Sequence, residues 1–377
     1  MRGRTGVWRC DLGDSLLHKP VHIRTIGFFE YDLPLDPPFR WRGGEVAERE
    51  GVLLRLEDAG GRVGWGDAAP LPGFSRESLA EAMAALEAAA PTLAPAEFDA
   101  RQVADPESPL HSELDGLALP PAARYALDLA LADLAAAEAG TPLPRLLDAG
   151  AADRLHIAAL IDGEPETVVD RAATRAADGY VALKLKLGRL DVEGDAELVR
   201  DVRRRVGGGI ELRGDANRAW SPDGAAAFAR LTATAGLAYV EEPLAADDAG
   251  DLESFARESG LPVALDESLA EDPEREIGSW VVAVVLKPTV LGGIATTLRL
   301  ATRARAAGVT AVLSAAFESG IGQRGVAALA AATGARAAGL DPYSRLRSDV
   351  LARPLPFDQP VVDLAELFGA GVRVTLD

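Results

Sequence analysis

From residue 155 onward, short apolar runs alternate with amphipathic or polar stretches. This alternation predicts strands joined by helices, and such strands are parallel because a crossover returns the chain to the same end of the sheet. Eight strand candidates with seven crossovers predict a closed (β/α)7β barrel. The eight runs are LHIAAL, YVALKLKLG, IELRGDAN, AYVEEPL, PVALDES, VVAVVLKP, TAVLSAAF and ARAAGLD.

An open doubly wound sheet is the alternative that the same alternation allows. Such a sheet normally carries a glycine-rich phosphate-binding loop directly after its first strand. The segment LIDGEPET begins at the last residue of the first apolar run and continues beyond it. It lacks that glycine pattern. The barrel is therefore the favoured fold.

The chain before residue 155 has a different pattern. TIGFFEYDLPL and EGVLLRLED alternate between apolar and polar positions as strands do, whereas SRESLAEAMAALEAAA and PPAARYALDLALADLAAAEAG have the period of amphipathic helices. Residues 21–100 are therefore predicted to form a small α+β unit in front of the barrel. Residues 1–20 show no period, which predicts a flexible extension.

Composition and charge exclude several classes of partner. The net charge of −19 at pH 7 argues against binding of nucleic acid or anionic membranes. The alanine-rich stretches are interrupted by Glu and Pro, and the N-terminus lacks a continuous apolar run, which together predict a cytoplasmic protein without membrane spans. A single cysteine, Cys10, excludes an internal disulfide and a cysteine-based metal site. The oligomeric state is left open.

Lysine is scarce in this chain, and its positions are informative. Only four of the 39 Lys and Arg residues are lysines, and Lys184, Lys186 and Lys287 fall in apolar, strand-like runs. A guanidinium stays protonated, whereas a buried ammonium can lose its proton, so arginine cannot replace lysine in proton transfer. The retained lysines therefore indicate acid–base chemistry.

Ionisable residues end five consecutive strand candidates. Lys184 and Lys186 lie two positions apart on the second run, so their side chains point to the same face. A lone Asp at a strand end is typical of a helix N-cap and a lone Lys of a rim charge. In a parallel barrel, however, these ends meet on one face, and clustered buried charges need partners or a metal. The other members are Asp215, Glu241, Asp266 and Lys287.

Three carboxylates without a neighbouring His or Cys form the donor set of a hard cation. Asp215, Glu241 and Asp266 are therefore predicted to bind Mg²⁺, with Mn²⁺ as a possible substitute. Zinc is disfavoured because it prefers His and Cys ligands. The ion would hold the carboxylate of a small-molecule substrate and stabilise the enediolate that forms when the α-proton leaves.

Five motifs in this order resemble the muconate-lactonizing branch of the enolase superfamily. They are KLK (184–186), DAN (215–217), VEEPL (240–244), DES (266–268) and KPTVLGG (287–293). The resemblance extends from about residue 21 to the C-terminus. It implies an α+β capping domain over residues 21–125, a (β/α)7β barrel over residues 126–345, and a C-terminal segment, residues 346–377, that returns to the capping domain.

Further motifs resemble the o-succinylbenzoate synthase family within that branch. They are REGVLLRLED (49–58), GWGDAAPLPGFSRESL (64–79), LRGDANRAW (212–220) and SAAFESGIG (314–322). Position 67 departs from the family because it holds Asp where Glu is usual. The resemblance implies that Lys186 and Lys287 flank the substrate. The like charge of Lys184, two positions from Lys186 and near a divalent cation, is expected to tune Lys186 for its role as a base. The residues implied to contact substrate are Pro72, Phe74, Ser75, Arg213, Asn217, Ser314, Ser319 and Gly320. Of these, Ser314, Ser319 and Gly320 are expected to hold the succinyl part through hydroxyl and backbone N–H groups.

The resemblance also implies a reaction, the dehydration of 2-succinyl-6-hydroxy-2,4-cyclohexadiene-1-carboxylate to o-succinylbenzoate in menaquinone synthesis. Lys186 would remove the proton α to the carboxylate and then protonate the hydroxyl that leaves on the same face. Lys287, as an ammonium, would stabilise the enediolate from the opposite face.

Other activities are alternatives. N-succinylamino acid racemisation would use the same two lysines as bases on opposite faces of one carbon. A dipeptide epimerase would be expected to carry a DxD pair near the eighth run, but GLDPYSRL (339–346) has no second Asp there. A non-catalytic barrel that binds a carboxylate would not need a base on each side of its ligand.

Overall fold

The N-terminal part of the chain forms a four-stranded antiparallel sheet. The computed structural model describes residues 19–41, 43–94, 97–369 and 373–375, so the predicted flexible extension lies outside the described residues except for its last two. The strands are β1 (Val21–Trp41), β2 (Gly44–Asp58), β3 (Val63–Ala68) and β4 (Glu97–Phe98). Their order in the sheet is β3-β2-β1-β4.

Helices cover this sheet and lead into the barrel. They are α1 (Leu79–Leu93), α2 (Ala100–Ala104), α3 (Pro109–Asp115), α4 (Pro121–Ala139) and α5 (Leu143–Leu147). A capping box starts α1, because Ser78 Oγ accepts from the Glu81 amide and the Glu81 carboxylate accepts from the Ser78 amide. The approach of α4 to β3 is so close that a Cβ on Gly66 would lie 1.8 Å from the Ala126 carbonyl oxygen.

Seven parallel strands follow in sequential order and form one curled sheet. After β5 (Arg154–His156), they are β6 (Ala159–Ile161), β7 (Ala182–Lys186), β8 (Glu211–Asp215), β9 (Leu237–Glu241), β10 (Val263–Leu265), β11 (Val281–Leu286) and β12 (Thr310–Leu313).

Helices form the crossovers between these strands. They are α6 (Pro165–Ala177), α7 (Val192–Val206), α8 (Pro222–Thr232), α9 (Leu252–Ser259), α10 (Glu267–Glu271), α11 (Pro288–Leu291), α12 (Ile294–Ala306) and α13 (Gly320–Thr333), with 3-10 turns at Ala246–Asp251 and Asp341–Arg345. None of the helices in the described part of the chain combines the length and apolar character needed to cross a membrane.

The eighth predicted strand closes the barrel through two residues. Ala338 pairs in parallel with Ile157 on one side, and Gly339 pairs in parallel with Ser314 on the other. The backbone hydrogen bonds that join these segments are 2.8 to 3.0 Å long. The eighth run is therefore shorter than a full strand, but the ring of strands is complete and the predicted (β/α)7β barrel is observed.

The residues after the barrel contact both parts of the molecule. Leu346 pairs with Leu35 of β1, while β13 (Val361–Asp363) pairs antiparallel with β5 and leads into α14 (Leu364–Phe368). One apolar core extends from the N-terminal sheet through α4 into the barrel. The division of the chain at residues 125 and 345 remains a prediction.

Replacing Gly66 with Ala is expected to destabilise the protein, because the new methyl group would overlap the backbone of α4. Overpacking typically lowers the free energy of unfolding by about 1–3 kcal/mol, which urea denaturation measures. Gly209→Ala is the control, since a Cβ there meets no atom within 4 Å. Equal stability of the two variants would contradict the close approach of β3 to α4.

Candidate active site

The barrel brings the predicted ionisable residues to one end. Lys186, Asp215 and Glu241 are the last residues of β7, β8 and β9, and the strand register places them side by side. Asp266 directly follows β10, and Lys287 directly follows β11. The C-terminal ends of five neighbouring strands therefore supply one cluster of charged groups.

Lysines separate the carboxylates within this cluster. Lys184 Nζ lies 2.9 Å from Asp215 Oδ2 and 2.6 Å from Glu241 Oε2. Lys186 Nζ lies 2.7 Å from Asp215 Oδ2. Asp215 and Glu241 are each 1% exposed. Because a buried carboxylate without a partner is costly, these ammonium groups offset the cost of placing two anions inside the barrel.

A second ion pair lies on the neighbouring strands. Lys287 Nζ is 2.5 Å from Asp266 Oδ2. Glu242 holds the backbone beside this pair, because its Oε1 accepts from the Asp266 amide at 2.8 Å and from Ser268 Oγ at 2.5 Å. Glu242 has a φ of 39°, and this strained conformation persists because the surrounding contacts hold it.

The lysines shift the pKa values of the two neighbouring carboxyls in opposite directions. Burial alone would raise both. At Asp215, the ammonium groups of Lys184 and Lys186 together outweigh burial and hold the pKa of that carboxyl well below its usual range. At Glu241, burial prevails over Lys184 alone and raises the pKa to about 7. An additional cation would therefore stabilise the ionised form of Glu241 more than that of Asp215.

The donor chemistry of the cluster fits a divalent cation. Among the described residues, no three Asp, Glu, His or Cys side chains converge closely enough to share an ion. The carboxylates of Asp215 and Glu241 contact the Lys184 ammonium instead. Asp215, Glu241 and Asp266 nevertheless offer only oxygen donors from adjacent strands, which is the donor type that magnesium prefers. Their three negative charges also match a site for a dication.

Asn217 orients Lys186. Its Oδ1 accepts from Lys186 Nζ at 2.8 Å, and its Nδ2 donates to Glu267 Oε1 at 3.0 Å. Asn217 has a φ of 44°, so its backbone is also held in an uncommon conformation. Its predicted substrate contact stays a prediction, while the structure gives it a positioning contact with the proposed base.

A cavity with a volume of about 1010 Å³ opens above the cluster. Its wall on the side of β1 is aromatic: the ring centroids of Phe39 and Phe317 are 4.8 Å apart, and those of Phe39 and Phe74 are 5.7 Å apart. An apolar wall opposite charged groups suits a ligand with a ring and carboxylates. The predicted site residues that line the cavity are Phe74, Lys184, Lys186, Arg213, Asp215, Asn217, Glu241, Asp266, Lys287 and Ser314.

Four predicted substrate contacts lie outside the cavity lining. Pro72 is exposed, and Ser75 Oγ accepts from the Leu71 amide at 2.9 Å, which stabilises the turn. The Gly320 amide donates to Asp349 Oδ1 at 2.8 Å. The fourth residue, Ser319, is fully buried. The contact of these residues with substrate stays a prediction.

Sequence reasoning missed Arg49, which joins the two sides of the cavity. Arg49 is 1% exposed, and its guanidinium donates to the carbonyls of Phe317 at 3.1 Å, Pro70 at 3.1 Å and Ala69 at 2.7 Å. Phe317 has a φ of 61°, so this contact supports a strained residue of the aromatic wall. A charged residue three positions before the apolar run VLLRL was the available signal.

Asp67 forms a second buried connection between the N-terminal sheet and the barrel. It accepts from Tyr31 Oη at 2.8 Å, from the Ser319 amide at 2.9 Å and from Ser319 Oγ at 2.7 Å. Burial raises the pKa of Asp67 to about 6 despite these hydrogen bonds. Position 67, where the resemblance predicts a departure from the usual Glu, therefore lies at a contact between the N-terminal sheet and the barrel.

Two family models match the chain. The model described as MenC, N-terminal domain, matches residues 23–108, and the model described as Enolase C-terminal domain-like matches residues 167–377. The second match covers more than half of the chain. The fold, the cluster at the strand ends and these matches together define an enzyme of the enolase superfamily.

Curated relatives narrow the assignment. The o-succinylbenzoate synthase of Yersinia enterocolitica is 32% identical over 350 residues, which cover 92% of this chain and 98% of the relative. The o-succinylbenzoate synthase of Enterobacter sp. (strain 638) is 34% identical over 346 residues, which cover 89% and 97%. The chain belongs to the o-succinylbenzoate synthase family, and the predicted family is confirmed.

Solved structures share the fold. The N-succinyl Arg/Lys racemase of Bacillus cereus aligns with a TM-score of 0.82 at 23% identity and covers 94% of this chain and 96% of its own. A dipeptide epimerase of Enterococcus faecalis in complex with Mg and a dipeptide aligns with a TM-score of 0.79 at 24% identity and covers 94% and 99%. These likenesses confirm the predicted fold.

The raised pKa of Asp67 predicts a pH-dependent contribution to stability. Between the unfolded value of 3.8 and the folded value of about 6, the folded protein keeps a proton that the unfolded chain has lost. Stability therefore falls as the pH rises through this window. The free energy of unfolding of the wild type, relative to Asp67→Asn, should fall by about 2–3 kcal/mol between pH 4 and pH 7. A difference that is independent of pH in urea denaturation would contradict this account.

Proposed function

We propose that the chain catalyses the magnesium-dependent dehydration of 2-succinyl-6-hydroxy-2,4-cyclohexadiene-1-carboxylate to o-succinylbenzoate. The observation that carries this proposal is the placement of two lysines. Lys186 ends the second barrel strand and Lys287 follows the sixth, and four strands in an eight-membered ring separate opposite sides of the barrel mouth. Membership of the o-succinylbenzoate synthase family supports the same reaction.

The first step is removal of the proton next to the ring carboxylate. In its neutral form, the Lys186 amine accepts this proton, and the electron pair left on carbon moves into the carboxylate as an enediolate. Asp215 and Asn217 hold Lys186 Nζ at 2.7 and 2.8 Å, which orients it toward the cavity. The Lys287 ammonium faces the new negative charge from the other side and stabilises it.

The second step expels the hydroxyl group from ring carbon 6. Lys186, now protonated, donates its proton to the hydroxyl oxygen, the carbon–oxygen bond breaks, and water leaves. The electron pair of the enediolate forms the final double bond of the aromatic ring, and Lys186 returns to its neutral form. One acid–base group suffices because the proton and the hydroxyl leave from the same face.

Asp215, Glu241 and Asp266 would hold the magnesium ion. When bound, it supplies a Lewis acid that offsets the negative charge on the substrate carboxylate. Lys184, whose Nζ contacts Asp215 and Glu241, adds a positive charge next to this site and to Lys186. The chain thus provides separate groups for charge stabilisation and for proton transfer.

N-succinylamino acid racemisation is the second candidate. Inversion requires two bases that face one carbon from opposite sides, and the placement of Lys186 and Lys287 on opposite sides of the barrel mouth supports this role. The racemase of Bacillus cereus has the same fold. Deuterium exchange at the α-carbon of both enantiomers of an N-succinylamino acid, without dehydration of the cyclohexadiene, would favour this activity.

Purified protein is expected to convert the cyclohexadiene to o-succinylbenzoate in the presence of Mg²⁺, and the conversion can be followed by ultraviolet absorbance. EDTA should stop turnover and added Mg²⁺ should restore it. Asp215→Asn should also weaken Mg²⁺ binding, measured by calorimetry, at least about tenfold. The exposed residue Asp223 provides the control, and Asp223→Asn should bind Mg²⁺ as the wild type does.

Either of two results would contradict the proposal. Turnover that persists after removal of divalent cations would show that the reaction does not need the ion. An Asp215→Asn variant with unchanged affinity for Mg²⁺ would show that the ion is bound elsewhere.

A further inference from the structure

The cavity has a surplus of positive charge although the chain is strongly acidic. Among the described residues, ten Lys and Arg side chains line it against seven Asp and Glu side chains. The chain as a whole has a net charge of −19. The three lysines are matched by the carboxylates of the strand-end cluster. The surplus therefore comes from arginines, and it favours a ligand with more than one negative charge.

Most of these arginines already have partners. Six of the seven that line the cavity are engaged, which limits their capacity to bind a ligand unless an existing contact breaks. The contacts are Arg40 with Glu45, Arg213 with Glu211, Arg218 with Glu271, Arg171 and Arg345 with Asp162, and Arg76 with the carbonyls of Ala270 and Glu271.

Arg189 differs from the other six. Within the described residues, it has neither a hydrogen-bond nor an ion-pair partner, and it is exposed at the rim of the cavity. It stands three residues after Lys186, which is at most about 10 Å of extended chain. A guanidinium here is available to a ligand whose other end lies against Lys186.

The turn that carries Arg189 is anchored on both sides. The Leu187 amide donates to the Asp215 carbonyl at 2.9 Å, and the Gly188 amide donates to Asp195 Oδ2 at 2.7 Å. Gly188 has a φ of 73°, and a Cβ there would lie 2.2 Å from the Cβ of Ala219. Only glycine suits this turn, and the position of the Arg189 backbone relative to Lys186 is therefore defined by the fold.

We propose that Arg189 binds the second carboxylate of a dicarboxylate substrate, the one at the end of the succinyl group. This inference rests on the proposed function, which places the ring carboxylate at the strand-end cluster. A guanidinium can donate two parallel hydrogen bonds to a carboxylate. Arg189 is thus a specificity-determining residue that selects substrates with a distal negative charge and takes no part in proton transfer.

The test compares Arg189→Met with the wild-type holoenzyme. Loss of one charge-assisted hydrogen-bonding group at a partly solvated position should raise KM about tenfold while kcat changes less than about twofold. Binding of o-succinylbenzoate in the presence of Mg²⁺, measured by calorimetry, should weaken by a similar factor. Arg189→Lys should recover only part of this loss. The positive charge is kept, but lysine cannot form the bidentate contact with a carboxylate.

Two controls separate this role from a general effect of charge or folding. Arg230 is also exposed and lies outside the cavity lining, and Arg230→Met should bind o-succinylbenzoate as the wild type does. An analogue in which the succinyl carboxylate is replaced by an amide should bind wild type and Arg189→Met equally.

The outcomes are distinguishable. An unchanged KM in Arg189→Met, or equal weakening for the dicarboxylate and the amide, would overturn the role of Arg189. If the wild type fails to dehydrate the cyclohexadiene but binds o-succinylbenzoate in a manner that depends on Arg189, the proposed function fails while the carboxylate subsite stands.

Discussion

Neutralisation of buried carboxylates at the mouth of the barrel is the constraint on which the rest of the site depends. Asp215 and Glu241 are almost completely excluded from solvent, and anions in such a place need cations within contact distance. Lys184 and Lys186 meet this need from β7. The same pairing places the proposed base beside the proposed metal site, so one arrangement serves both the stability of the barrel and the proposed catalysis.

The N-terminal sheet and the barrel form one unit around this charged centre. Arg49 and Asp67 reach from the sheet to the loop after β12, and they are buried where they do so. These contacts hold Phe317 in a strained conformation within the aromatic wall. The wall presents an apolar surface to the cavity, and electrostatic interactions are stronger beside apolar surfaces than in bulk water.

The barrel and the charged cluster could be predicted because they depend on local periodicity. Apolar runs mark the strands, and in-phase residues at strand ends must meet when the barrel closes. The reduced eighth strand and the Arg49 and Asp67 contacts could not be predicted in this way. They depend on pairs separated by up to 268 residues along the chain, and neither hydrophobic period nor motif spacing carries that information. The role of Arg189 could not be predicted either, because only the folded cavity shows that it has no hydrogen-bond or ion-pair partner in the described part of the chain.

Lys186→Arg tests the central claim most directly, because it separates charge from proton transfer. The guanidinium keeps the positive charge opposite Asp215 but stays protonated at neutral pH. We expect dehydration of the cyclohexadiene to fall by about a thousandfold, while Lys19→Arg, at an exposed position, keeps wild-type activity. If Lys186→Arg turns over substrate at close to the wild-type rate, then Lys186 acts through its charge alone and the assignment of the base is wrong.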